Sequence, residues 1–262
     1  MRTTGALSVA HDGPALRVAF TRPERLNAVT ADGLDDLADL LEEAAEDTAV
    51  RVVVLSGGGG AFSSGADLQG DVSKSSSERP AIATQLAANR VVRVLREMPQ
   101  PTISAVTGPA AGVGCSLALA CDLVVAAESA YFLLGFTNVG LMPDGGATVL
   151  VPASLGRSRA LQLALVPERL PAARAHEWGL VHQVVPDDGL AGSVAELTDR
   201  LVAGAPRAYA AAKRAINNVT LAGLDEALAV ELAGQAELLG SADFREAVAA
   251  FGAKRLPRFT GD

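Results

Sequence analysis

Between Arg51 and 126 the sequence repeats one unit, and that repeat restricts the fold more than any other feature. Arg51-Val-Val-Val-Leu55 is a short β-branched run that ends in the glycines 57–60. After SSGADL at 63–68 and a serine-rich stretch at 73–78, expected to be a mobile loop, apolar spacing predicts a helix over 82–98. The unit then recurs, with a strand over 102–106, a helix of small residues over 112–120 and a further strand over 123–126. Successive strands separated by helices need crossover connections, so the fold class is α/β with a mostly parallel sheet. Ahead of this region, Val9 and 16–20 read as two short strands around the turn His11-Asp-Gly-Pro14. A helix over 30–47 follows, with Thr30 as its N-cap. Past Leu155 the strand pattern fades except at 181–185, and helices are expected over 172–178, 206–219, 224–239 and 241–251. The chain accordingly divides near residue 200, into an α/β core over 1–200 and a helical region over 201–262.

Charge and cysteine usage remove several function classes. A net charge of −8 over 262 residues disfavours non-specific binding to nucleic acid or to an anionic membrane. Cys115 and Cys121 have no neighbouring His or third Cys, so they read as buried thiols rather than as a disulfide framework or a zinc site. MRTTGALSVAHDG has no apolar core of signal-peptide length, and no uninterrupted apolar span of 18 residues occurs, which makes the cytoplasm the expected location. The three histidines, His11, His176 and His182, lack metal-ligand spacing. There is no Gly-x-Ser-x-Gly elbow, no phosphate-binding Gly-x-x-x-x-Gly-Lys and no dinucleotide-binding Gly-x-Gly-x-x-Gly opening a helix. Any catalysis is left to backbone groups and carboxylates.

Two places suit that chemistry. Each of the strands 52–55 and 102–106 runs toward a glycine-bearing turn, SGAD at 64–67 and GVG at 112–114, from which a backbone N–H can point outward. Two such donors meeting at one oxygen form an oxyanion hole, and the second would also lie at a helix N-terminus, whose dipole favours negative charge. The other place is VGLMPDGGA at 139–147, which sets a single carboxylate, Asp144, in a run from 129 to 155 that is otherwise uncharged. As a bare tetrapeptide, Pro-Asp-Gly-Gly is a turn. Among apolar neighbours, the same carboxylate would be desolvated and made more basic.

Taken together, FSSGADL at 62–68, PTISAVTGPAAGVGCSLALACD at 101–122 and VGLMPDGGAT at 139–148 resemble the signature regions of the crotonase superfamily, also called the enoyl-CoA hydratase/isomerase family. RPERLNAV at 22–29 resembles its early CoA-contacting loop. AHEWGLVHQVV and SADFREAVAAFGAKRLPRFTG resemble especially its ring-1,2-epoxyphenylacetyl-CoA isomerases of phenylacetate catabolism. The resemblance implies a ββα spiral core with a C-terminal helical trimerisation region, a homotrimer or dimer of trimers, and acyl-CoA thioester substrates with no separate cofactor. It implies Ala66 and Val113 as the backbone donors to the thioester oxygen. Val113 stands where the family usually has glycine, which requires a negative φ at this residue. Arg25, Leu26, Ala28, Ser64 and Asp67 are implied as CoA contacts. Phe251 and Lys254 are implied as a cover for the nucleotide, from this chain or a neighbouring subunit. Gly114, Ser116 and Phe136 are implied at the substrate pocket.

The chain departs from the family's hydratases at the two glutamates that clamp and activate water. Ser116 and Phe136 stand at those positions, and neither can act as a carboxylate base. Asp144 matches the acid that the epoxide isomerases and some enoyl-CoA isomerases carry in a GLxPD segment. The expected activity is therefore acyl-CoA isomerisation, from 3-enoyl-CoA to 2-enoyl-CoA or from an arene-epoxide thioester to an oxepin. Hydration of an enoyl-CoA by a water held by Asp144 and Ser116 is the alternative, and a further one is acyl-CoA binding without turnover. The segment at 70–80, expected to line the acyl pocket, carries no readable preference.

Overall fold

The computed structural model describes residues 2–67 and 82–262, so the expected loop at 73–78 and the pocket segment at 70–80 lie outside the described residues. Strands β1 (Arg2–Thr4), β2 (Leu7–Asp12) and β3 (Ala15–Phe20) form an antiparallel meander. Helix α1 (Ala31–Glu46) follows, and the Thr30 side chain caps it by accepting from the Gly33 N–H at 3.2 Å. Then come β4 (Val52–Gly57), α2 (Ala83–Glu97), β5 (Thr102–Val106), β6 (Pro109–Ala111), α3 (Val113–Ala120), β7 (Leu123–Ala127) and β8 (Tyr131–Leu133). Beyond them lie α4 (Ala147–Leu165), β9 (Leu170–Pro171), α5 (Ala172–Trp178), β10 (Gln183–Val185) and four helices, α6 (Leu190–Ala203), α7 (Pro206–Thr220), α8 (Leu224–Leu238) and α9 (Ala242–Gly252).

The main sheet has the order β1-β2-β3-β4-β5-β7-β10, and every pairing from β3 to β10 is parallel. Its central strands are buried on both faces, which is why they read as unbroken apolar runs rather than alternating ones. Val53 and Leu55 face the large core under α1, α2 and α3, whereas Val52 and Val54 face a smaller cluster closed by Leu190 and Val194 of α6. Residue 200, the division expected from the sequence, falls inside α6, which packs against β4, β5 and β7. A second sheet, β6-β8-β9, has strands of two or three residues, too short for a periodic pattern to register. Cys115 and Cys121 are free, buried thiols, and burial pushes both up to about 12. Among the described residues no helix is long and apolar enough to cross a membrane.

Candidate active site

The two glycine-bearing turns emerge side by side at the carboxyl ends of β4 and β5, the usual place for ligands in an open parallel sheet. Segment 63–66 runs parallel to β6: the Ser63 N–H donates to the Pro109 carbonyl at 3.0 Å and the Ala111 N–H to the Ser63 carbonyl at 2.9 Å, in the register Ser63 to Ala110. Just past that pairing Gly65 and Gly112 lie against each other, and Ala66 and Val113 follow them. Gly65 is required at the junction twice over, since its φ is +95° and a Cβ there would stand 2.8 Å from the Ala111 carbonyl oxygen. On the other strand the left-handed residue is Gly112, at φ 52°, which leaves Val113 at negative φ as the first residue of α3. The condition that a β-branched side chain imposes here is therefore met. Among the described residues, neither the Ala66 nor the Val113 N–H donates a hydrogen bond, and both residues line a cavity of about 310 Å³. Two unused donors beside one cavity, one of them at a helix N-terminus, are the parts of an anion or oxyanion site.

Asp144 lines the same cavity and is the only acid to do so among the described residues. It is 7% exposed. Its Oδ2 accepts from Gln235 Nε2 at 2.7 Å, while Oδ1 is buried without a partner among the described residues. The Gln235 carboxamide is oriented from its other end, where Oε1 accepts from the Met142 N–H at 3.2 Å, so Nε2 must face the carboxylate. The Asp144 carboxyl is pushed from 3.8 up to about 7, chiefly by burial; the Gln235 hydrogen bond opposes the rise and the charge of Glu231 adds to it. A carboxylate that is half-ionised near neutrality can both take and return a proton.

Glu231 supports this arrangement from beneath. It is fully buried and accepts from the Gly146 N–H at 2.8 Å, the Thr148 N–H at 3.0 Å and the Thr148 hydroxyl at 2.5 Å, which caps the start of α4 directly after the Asp144 turn. Burial raises its pKa as well. Sequence reasoning missed both Glu231 and Gln235, although a signal existed. The buried stripe of α8 is Leu224, Leu228, Glu231, Gln235, so two polar residues occupy positions that helical spacing assigns to the core.

A family model described as enoyl-CoA hydratase/isomerase matches residues 13–262. The chain belongs to the enoyl-CoA hydratase/isomerase family. That family acts on acyl-CoA thioesters, and the ββα spiral is its fold. The chain is 40% identical over 248 residues to 1,2-epoxyphenylacetyl-CoA isomerase of Escherichia coli, covering 94% of this chain and 95% of that one. It is 38% identical over 248 residues to a probable enoyl-CoA hydratase of Rhodobacter capsulatus, covering 93% of each. A crystal structure of an enoyl-CoA hydratase from Mycobacterium avium subsp. paratuberculosis superposes with a TM-score of 0.91 at 45% identity, covering 98% of this chain and 100% of that one.

As an enoyl-CoA hydratase/isomerase family chain, it places the remaining expected site residues unevenly. The loop at 22–28 and the turn at 64–67 are tied together: the Ser64 N–H donates to the Leu26 carbonyl at 2.9 Å and the Ser64 hydroxyl to the Arg25 carbonyl at 3.2 Å. Arg22 clamps both, donating to the Ala28 carbonyl at 2.9 Å and to the Asp67 carboxylate at 2.8 Å. Asp67 is buried in that ion pair, so what it supplies is loop shape rather than an unpaired charge for CoA. Leu26 is half exposed beside it. Phe251 lines the cavity of its own chain from α9, and Lys254, exposed just beyond that helix, does not. Phe136 lines the cavity too. Ser116 and Gly114 stand behind its wall: the Ser116 hydroxyl donates to the Asp144 carbonyl at 2.7 Å, and Gly114 packs on Ser63. The serine thus fixes the backbone of the Asp144 turn, which is a different part from the substrate or water contact implied by the resemblance.

Proposed function

We propose that the protein is an acyl-CoA isomerase in which Asp144 alone moves the proton and the N–H groups of Ala66 and Val113 hold the thioester oxygen. The observation that carries this reading is Asp144 itself, the one acid facing the cavity among the described residues, buried and with Oδ1 unengaged. In a 3-enoyl-CoA, hydrogen bonds to the thioester oxygen acidify the α-carbon, and Asp144 removes its proton. The bonding pair moves into the enolate, with its negative charge on the held oxygen. Collapse of that charge returns electrons through the diene to the γ-carbon, which takes the proton back from the Asp144 carboxylic acid and leaves the conjugated 2-enoyl-CoA. An arene-epoxide thioester, rearranged to an oxepin, is the second substrate class consistent with the 40% identity to an epoxyphenylacetyl-CoA isomerase.

Hydration needs a water gripped by two acids, and here Ser116 is spent on a carbonyl while Phe136 has no oxygen to offer. Purified protein should therefore isomerise 3-hexenoyl-CoA at least about a hundredfold faster than it hydrates 2-hexenoyl-CoA, as followed by chromatography of the CoA products. Hydration as fast as isomerisation would favour the hydratase reading instead.

The pH dependence follows from the same carboxyl. Asp144 must be ionised to accept the α-proton, so kcat/KM should rise with pH through a limb centred near 7. Gln235 stabilises the ionised form, so Gln235→Met should move that limb to higher pH. A limb that stays in place, or moves to lower pH, argues against this pairing.

A further inference from the structure

Gln85 is a polar part of the cavity wall that the proton transfer leaves unused. It lies in the first turn of α2, lines the cavity, and is 6% exposed. Among the described residues, neither its Nε2 nor its Oε1 has a hydrogen-bond partner. Among the other buried carboxamides, Asn89 and Gln100 leave the side-chain oxygen without a partner among the described residues, whereas two are fully engaged. Asn27 donates to the carbonyls of Gly58 and Ala61 and accepts from the Arg22 N–H, and Gln235 is engaged at both ends. A carboxamide buried with both ends idle is costly unless something entering the cavity satisfies it. Much of the surrounding wall is apolar, from Phe136, Leu133, Val139 and Leu141, and of its polar side chains Gln85 is the one buried with both ends idle among the described residues.

We infer that Gln85 is a specificity residue that donates a hydrogen bond to an oxygen on the acyl group, and that the preferred substrates are acyl-CoA thioesters bearing an oxygen acceptor beyond the thioester rather than plain hydrocarbon acyl chains. The inference rests on the acyl-CoA isomerase reading for the identity of the cavity, and it deepens that reading by naming the substrate class. A site built to hydrogen-bond an oxygen discriminates strongly against an analogue that lacks it, because its own polar group is then left unpaired.

The test uses binding, which needs no turnover. Hexanoyl-CoA is compared by calorimetry with three thioesters of the same length in which one methylene is replaced by an ether oxygen: propoxyacetyl-CoA, 3-ethoxypropanoyl-CoA and 4-methoxybutanoyl-CoA. In the wild type, at least one ether should bind as tightly as hexanoyl-CoA or more tightly. All three binding at least about tenfold more weakly, as an apolar cavity would dictate, would overturn the inference without any variant. Gln85→Met keeps length and removes both polar ends. It should melt no lower than wild type and should reduce the preference for the favoured ether, relative to hexanoyl-CoA, by at least about tenfold. A ratio unchanged within about threefold in a folded Gln85→Met protein would also overturn it. The isomerase reading fails separately: an intact ether preference with no α-proton exchange in the wild type removes the isomerase assignment and leaves the role of Gln85 standing.

Discussion

Asp144→Asn should lower isomerisation of a 3-enoyl-CoA by at least about a thousandfold while leaving acyl-CoA affinity within about tenfold of wild type. The substitution keeps shape and keeps an oxygen for Gln235 Nε2, but an amide cannot accept a proton at neutral pH, so the loss falls on the chemical step. The same change should alter stability in the opposite direction. Because the folded carboxyl titrates near 7 and the free one near 3.8, the folded state binds more protons than the unfolded state between those values, and stability falls as pH rises from about 4 to about 7. Burying the charge therefore costs up to about 4 kcal/mol above pH 7, taking 1.36 kcal/mol per pH unit. Asp144→Asn escapes that cost. It should melt higher than wild type at pH 8, with the difference closing toward pH 4, as read by calorimetry across pH. Turnover close to wild type would remove Asp144 from the mechanism, and a lower melting temperature at pH 8 would contradict the burial argument.

The second large effect is expected at Gly114. As a flank of a donor turn, this glycine is expected from the sequence to allow either close backbone approach or unusual dihedrals. The structure shows close approach: a Cβ at this position would stand 2.7 Å from the Ser63 carbonyl oxygen and 2.8 Å from Ser63 Oγ. Ser63 is fully buried, its carbonyl accepts from the Ala111 N–H, and its hydroxyl accepts from the Gly65 N–H at 3.2 Å. Pushing Ser63 away thus displaces the turn that presents Ala66, and a variant on one strand disables the donor on the other. Gly114→Val should lower turnover by at least about a hundredfold, close to the roughly 3 kcal/mol typical of one lost oxyanion donor. Overpacking would cost about 1–3 kcal/mol of stability in addition, so circular dichroism and acyl-CoA binding are the necessary controls. A folded, binding-competent Gly114→Val protein with unchanged turnover would show that these turns do not hold the thioester oxygen.

What could be read from the sequence, and what could not, follows from the range of the interactions involved. Strands β4, β5 and β7 and helices α1 and α2 announce themselves because each buries a long apolar run or stripe, a local property. Asp144 stands out as a lone charge in an uncharged stretch, and the glycines at 65 and 112 mark left-handed turns. The supporting groups arise from contacts remote in sequence. Gln235 meets Asp144 across 91 residues and Glu231 meets Gly146 across 85, so neither role is visible in a local window. The same holds around residue 200, where α6 completes the second face of the sheet and α8 returns to Asp144. Asp67 and Ser116 stand out in the sequence by residue type, while their partners, Arg22 and the Asp144 carbonyl, come to them only through the fold.

The central claim, that one aspartate takes the α-proton and returns it at the γ-carbon, is tested most directly by following that hydrogen. The measurement starts from 3-hexenoyl-CoA carrying deuterium at both C2 positions, in ordinary water, with mass and NMR analysis of the product. A single buried carboxyl should carry label across, giving 2-hexenoyl-CoA with deuterium at C4 well above natural abundance, and Asp144→Asn should abolish both the product and the transfer. Product without deuterium at C4, or 3-hydroxyhexanoyl-CoA as the main product, would contradict the account.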